Sequence, residues 1–138
     1  MTVRKVLPGE KRRNMSNREK LIKKINKAFA DGDAEFISKC VTEDIRWVIV
    51  GEKTIAGRKD FEASLDRMKL GGPLEISVEN LINEKEKCVV EGTVAMKVNQ
   101  AKAKKYAFCD IYIFPDENSD KFKELRTYVS PIKDNQSI

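Results

Sequence analysis

The segment Lys104-Lys105-Tyr106-Ala107-Phe108-Cys109-Asp110-Ile111-Tyr112-Ile113-Phe114 restricts the possible folds more than any other part of the chain. Strand alternation puts Tyr106, Phe108, Asp110, Tyr112 and Phe114 on one face, and Ala107, Cys109, Ile111 and Ile113 on the other. A strand that is apolar on both sides needs something packed against each of them. The aromatic face, with one carboxylate in its middle, is a candidate pocket wall. The aliphatic face is a candidate contact with a helix or a second subunit.

The chain of 138 residues suits one domain. With 41% hydrophobic and 36% charged residues, it reads as a globular chain with a well-solvated surface. No apolar run approaches the roughly 18 residues of a membrane span, and no signal-peptide layout is present, so a cytoplasmic protein is expected. Cys40, Cys88 and Cys109 are widely spaced in apolar surroundings and read as free thiols. The absence of histidine removes Ser-His and Cys-His nucleophile pairs and most zinc sites. Neither a metal nor a cofactor is expected.

The net charge of +5 is unevenly placed. Residues 1–24 hold nine bases against two acids, and the rest of the chain is slightly acidic. Residues 1–15 therefore read as a basic, flexible extension, and Met15-Ser16-Asn17 allows residues 1–14 to be an upstream segment. No aromatic stacking series interleaves with these bases, so a nucleic-acid partner is not expected.

Ser16-Asn17-Arg18-Glu19 fits a capping box. The helix it opens carries Leu21, Ile22, Ile25, Ala28 and Phe29 on one stripe. Asp31-Gly32-Asp33 ends it and caps a short second helix bearing Phe36, Ile37, Cys40 and Val41. Asp44 is expected to cap the entry to a first strand over Ile45–Val50. A short extended piece follows at Thr54–Ala56. Arg58, a solvated helix-start residue, opens a third helix with Phe61, Leu65 and Met68, which stops at Gly71-Gly72-Pro73. Four strands separated by polar turns then imply an antiparallel meander, and hence an α+β domain over residues 16–133 with a tail at 134–138.

This order resembles the nuclear-transport-factor-2-like (NTF2-like) superfamily, and within it the SnoaL-like branch related to polyketide cyclases and ketosteroid isomerases. The resemblance spans residues 17–132 and rests on Ala30-Asp31-Gly32-Asp33, Thr42-Glu43-Asp44-Ile45-Arg46-Trp47, Ile55-Ala56-Gly57-Arg58-Lys59-Asp60-Phe61, Cys109-Asp110-Ile111-Tyr112-Ile113-Phe114 and Lys121-Phe122-Lys123-Glu124-Leu125-Arg126-Thr127-Tyr128. It implies a cone: three N-terminal helices on a strongly curved, mainly antiparallel sheet, with a blind pocket between them. It also implies a homodimer through the outer sheet face, consistent with the aliphatic row Ala107, Cys109, Ile111 and Ile113.

Asp110 matches the position at which ketosteroid-isomerase-like relatives place a pocket acid. Among aromatics its pKa would rise, so it could donate a proton to a carbonyl or take one from carbon. It could equally hold the sheet by bonding a neighbour. The resemblance also marks departures. The first strand reads Trp47-Val48-Ile49-Val50, where the isomerases carry a base, and Phe108 stands where epoxide-hydrolase relatives carry arginine. The remaining candidates are Tyr106, Phe108, Tyr112 and Tyr128 around Asp110, with Trp47, Phe29, Phe61 and Met68 as core residues that could also line a pocket. Arg46 or Arg126 would sit at its rim. The expected function is binding of a small apolar molecule, with isomerase, cyclase or dehydratase chemistry centred on Asp110. The alternative is a non-catalytic dimerisation or protein-interaction module.

Overall fold

The computed structural model describes residues 16–99 and 102–133. The expected extension over residues 1–15 and the tail over residues 134–138 lie outside the described residues. Three helices and six strands follow in the order α1 (Asn17–Asp31), α2 (Ala34–Lys39), β1 (Val41–Ile49), β2 (Lys53–Ala56), α3 (Arg58–Leu70), β3 (Leu74–Glu84), β4 (Lys87–Asn99), β5 (Lys102–Ile113) and β6 (Phe122–Pro131). This is an α+β arrangement of the kind the resemblance implies, with one mixed and mostly antiparallel sheet.

Local sequence accounts for most of the boundaries. Ser16 caps α1 by accepting from the Glu19 amide at 3.2 Å. Gly32 ends it at φ 73°, a left-handed conformation that glycine adopts without a Cβ penalty. One residue on, Asp33 accepts from the Phe36 amide at 3.1 Å and starts α2. The first strand begins at Val41, earlier than the expected Ile45, because Val41 already pairs with Phe122 of β6; after a shift in register the pairing resumes over Arg46–Ile49. Asp44 accordingly sits inside the strand, where it accepts from Thr42 Oγ1 at 2.7 Å. Arg58 is no solvated helix-start residue. Its guanidinium donates to the carbonyls of Ser38 and Val41 and pairs with Glu43 at 2.9 Å, tying the start of α3 to the α2–β1 junction.

The sheet order is β2-β1-β6-β5-β4-β3. From β3 to β6 the strands form the expected antiparallel meander, and β1 pairs β6 in parallel. Glu79 is an extra residue between the paired positions Val78 and Asn80, a bulge that turns Leu81 to the helix side and Ile82 outward. Opposite the bulge, Gly92 lets two backbones approach so closely that an added Cβ would overlap the Ser77 carbonyl oxygen.

The helices pack on one face of the sheet. Ile22 and Ile25 from α1, Ile37 from α2, Phe61 and Leu65 from α3, Cys88, Val90, Tyr112, Phe122 and Leu125 from the strands, and Phe114 just past the end of β5 form the buried core. Arg18 closes one end of it. Its side chain donates to the carbonyls of Lys85, Glu117 and Ser119 at 3.0–3.1 Å and lies 3.6 Å above the Phe114 ring. The first turn of α1 is thereby bound to both the β3–β4 and β5–β6 turns. On the outer face, Ala107, Cys109, Ile111 and Ile113 are half-buried, while Ile82 and Tyr128 are 61% and 42% exposed. Among the described residues, no helix is long and apolar enough to cross a membrane.

Candidate functional site

A cavity of about 300 Å³ lies between the helices and the inner sheet face. Its walls are largely apolar. Phe29 comes from α1, Trp47 and Ile49 from β1, Met68 from α3, Leu74 and Ile76 from β3, Val94 from β4, Phe108 from β5, and Leu125 and Val129 from β6. Four polar side chains interrupt them: Asn26, Asp110, Thr127 and, on the exposed β1–β2 turn, Glu52. Such a lining suits a small apolar molecule oriented by a few polar contacts.

Asp110 is held by a chain across three adjacent strands. Trp47 Nε1 on β1 donates to Thr127 Oγ1 on β6 at 2.9 Å. Thr127 stands directly opposite Asp110 on β5, and its hydroxyl bonds the carboxyl group. With its oxygen already accepting from Trp47, the hydroxyl has its proton left to give to Asp110. The other carboxyl oxygen, Oδ1, is buried and has no partner. Burial pushes the Asp110 pKa up to about 7, and the Thr127 hydrogen bond restrains that rise. Near neutral pH the acid is therefore divided between its neutral and charged forms. The neutral form can donate to a carbonyl oxygen, and the charged form can accept a proton.

Five of the expected residues meet at this cavity: Asp110, Trp47, Phe108, Phe29 and Met68. Trp47 is both core and wall. Its ring centroid is 6.1 Å from that of Phe29 and 5.9 Å from that of Phe61. Phe61 itself is fully buried behind the tryptophan and does not reach the wall. Tyr112 shares a face with Asp110, but its ring packs edge-on against Phe122 at 5.0 Å, deep in the core, and its hydroxyl finds no partner. Tyr106 is half-buried opposite Pro131, where the β5–β6 pairing ends, and lies off the wall. Tyr128 is on the other side of the sheet, paired with Cys109, because β6 turns Leu125, Thr127 and Val129 inward. The same alternation carries Arg126 outward, where it and Arg46 pair with Glu124 at 3.7 and 3.9 Å instead of reaching the cavity rim.

Three polar wall residues escaped the sequence reading: Glu52, taken only as part of a turn, Thr127 and Asn26. Thr127 becomes significant only through its register with Asp110. Asn26 did carry a signal: it lies one helical turn from both Ile22 and Phe29, a polar residue within an apolar stripe. The described residues contain no group of three or more His, Cys, Asp or Glu side chains able to hold a metal ion.

The SnoaL-like domain family model matches residues 22–121, and the chain belongs to that family, within the NTF2-like superfamily. An NTF2-like protein of unknown function from Cytophaga hutchinsonii is 26% identical, with 83% of this chain and 100% of that chain covered and a TM-score of 0.63. A candidate SnoaL-like polyketide cyclase from Shewanella denitrificans is 16% identical over 82% of this chain and 90% of its own, at a TM-score of 0.72. An LEH-like epoxide hydrolase from M. tuberculosis is 15% identical over 80% of each chain, at 0.68. The last two are likenesses of fold. No curated protein matches the sequence.

Proposed function

We propose that this protein binds a small, largely apolar molecule in the cavity and acts on it through proton transfer at Asp110. The reaction class is isomerisation, cyclisation or dehydration. The observation that carries this reading is the unpartnered Asp110 Oδ1 on the wall of an open, apolar cavity. A buried polar atom without a partner costs about 1–3 kcal/mol, a cost that a ligand's polar group would offset. A cavity filled by its own side chains would instead favour a purely interacting module. Neighbours of this fold include a candidate polyketide cyclase and an epoxide hydrolase, both names that imply handling of small organic molecules.

We further place the protein in the cytoplasm as a homodimer through the outer sheet face, where Ala107, Cys109, Ile111 and Ile113 meet exposed Tyr128 and Ile82. Native mass spectrometry of freshly purified protein tests both parts. A dimer that carries a small apolar molecule, released in the Asp110→Leu variant, which presents no polar group to the cavity, is the expected result. Retention of the same molecule by the variant with unchanged affinity refutes the central role of Asp110. A monomer refutes the interface.

A further inference from the structure

A second unpartnered polar atom borders the same cavity. Asn26 is 8% exposed, and its Nδ2 is buried without a hydrogen-bond acceptor. It projects from the middle of α1, whose neighbouring buried positions Ile22 and Ile25 are aliphatic. A leucine in its place would be the more stable choice for an empty protein, because an amide is costly to bury unpaired. The cavity therefore has two separate buried polar atoms without partners on its wall, one from the helix layer and one from the sheet layer.

Resting on the reading of the cavity proposed above, we infer that Asn26 is a specificity-determining residue, and that the ligand carries two hydrogen-bond acceptors, one met by the Asn26 amide and one by Asp110. The substrate class is a compact alicyclic or aromatic diketone, hydroxyketone or comparable bis-oxygenated skeleton. The volume sets its size. At roughly 30 Å³ for each water-sized unit, 300 Å³ holds a molecule on the order of ten heavy atoms. A purely hydrocarbon skeleton leaves both polar points unpaired, and a mono-ketone leaves one.

Asn26 also borders a surface groove between α1 and β3, lined by Lys23, Lys27, Ile76 and Leu81. A small replacement would join groove and cavity, so the informative variants keep the volume. Asn26→Leu removes the donor, and Asn26→Asp exchanges it for an acceptor. Trp47, the single tryptophan of the chain and part of the wall, reports occupancy by fluorescence. The probes are decalin, 1-decalone and a set of decalindiones that vary the spacing of the two carbonyls.

Wild type is expected to bind at least one dione roughly five-fold more tightly than decalone, the worth of about one neutral hydrogen bond. Both variants lose that preference and keep the affinity for decalone, and thermal melts show Asn26→Leu at least as stable as wild type. Equal binding of decalone and every dione, or a preference that survives in both variants, overturns the assignment of Asn26 and leaves Asp110 standing. Failure of any ketone to bind more tightly than decalin overturns the reading of the cavity itself.

Discussion

Replacing Asp110 by asparagine should make the stability of this protein less dependent on pH, with a slope set by the structure. Asparagine has the shape of the neutral acid and keeps an oxygen to accept from Thr127. The wild-type carboxyl is held up to about 7 in the folded state by burial, against an ordinary value of 3.8. Between those two values the unfolded chain has released the proton and the folded chain retains it. Wild-type stability therefore falls as pH rises through this window, by about 1.4 kcal/mol per unit for this one group. Over some three units the loss is about 4 kcal/mol, complete above pH 7 and absent below pH 4. Other titrating groups are common to both proteins and cancel in the difference. Urea denaturation at half-unit steps from pH 4 to pH 8.5 measures it. The variant should gain on wild type across the window and then level off. A difference that stays flat with pH would mean that Asp110 titrates as a solvated carboxylate, and the argument that the cavity keeps it neutral would fail.

Removing the Thr127 hydroxyl with Thr127→Val should raise the Asp110 pKa further, since that hydrogen bond favours the charged form; carbon NMR of the carboxyl would show its midpoint moving above that of wild type, and an unmoved midpoint would break the proposed chain from Trp47. Gly92→Ala should destabilise the fold by about 3 kcal/mol, because the new methyl group meets the Ser77 carbonyl of the adjacent strand; a urea midpoint equal to wild type would contradict that close approach. Cys88 is held up to about 12 by burial and Cys40 is raised by the same cause, so neither should react with a disulfide reagent in the native protein. Cys109, half-buried on the outer face, should react in the monomer and be protected in the proposed dimer, so its rate should rise on dilution below the dimer's dissociation constant.

Much of the architecture could be read from local sequence because its causes are local. Ser16, Gly32 and Asp33 set helix ends through bonds that span only three or four residues. The alternation in residues 104–114 assigned the faces of β5 because the period of a strand is fixed at two. The same reasoning failed for Tyr128 and Arg126. Their strand was recognised, but which of its faces turns inward depends on pairing with β5 and β1. Arg58 was misread for a similar reason, since the carbonyls it binds come from the α2–β1 junction some twenty residues earlier.

The sequence alone therefore determined that the chain forms α+β structure, that an acid lies in an aromatic strand, and that imidazole chemistry is absent. These follow from composition, periodicity and capping, all carried by neighbours in the chain. Only the tertiary structure decided that β1 runs parallel to β6, which brings Trp47 to Thr127 across a separation of 80 residues, on the strand that faces Asp110. It alone decided that Asn26 faces the cavity with Asp110, and that Tyr112 fills the core instead of lining the cavity. Such placements depend on strand register and on which helix covers which strand, and those are settled by burial of the whole apolar surface at once.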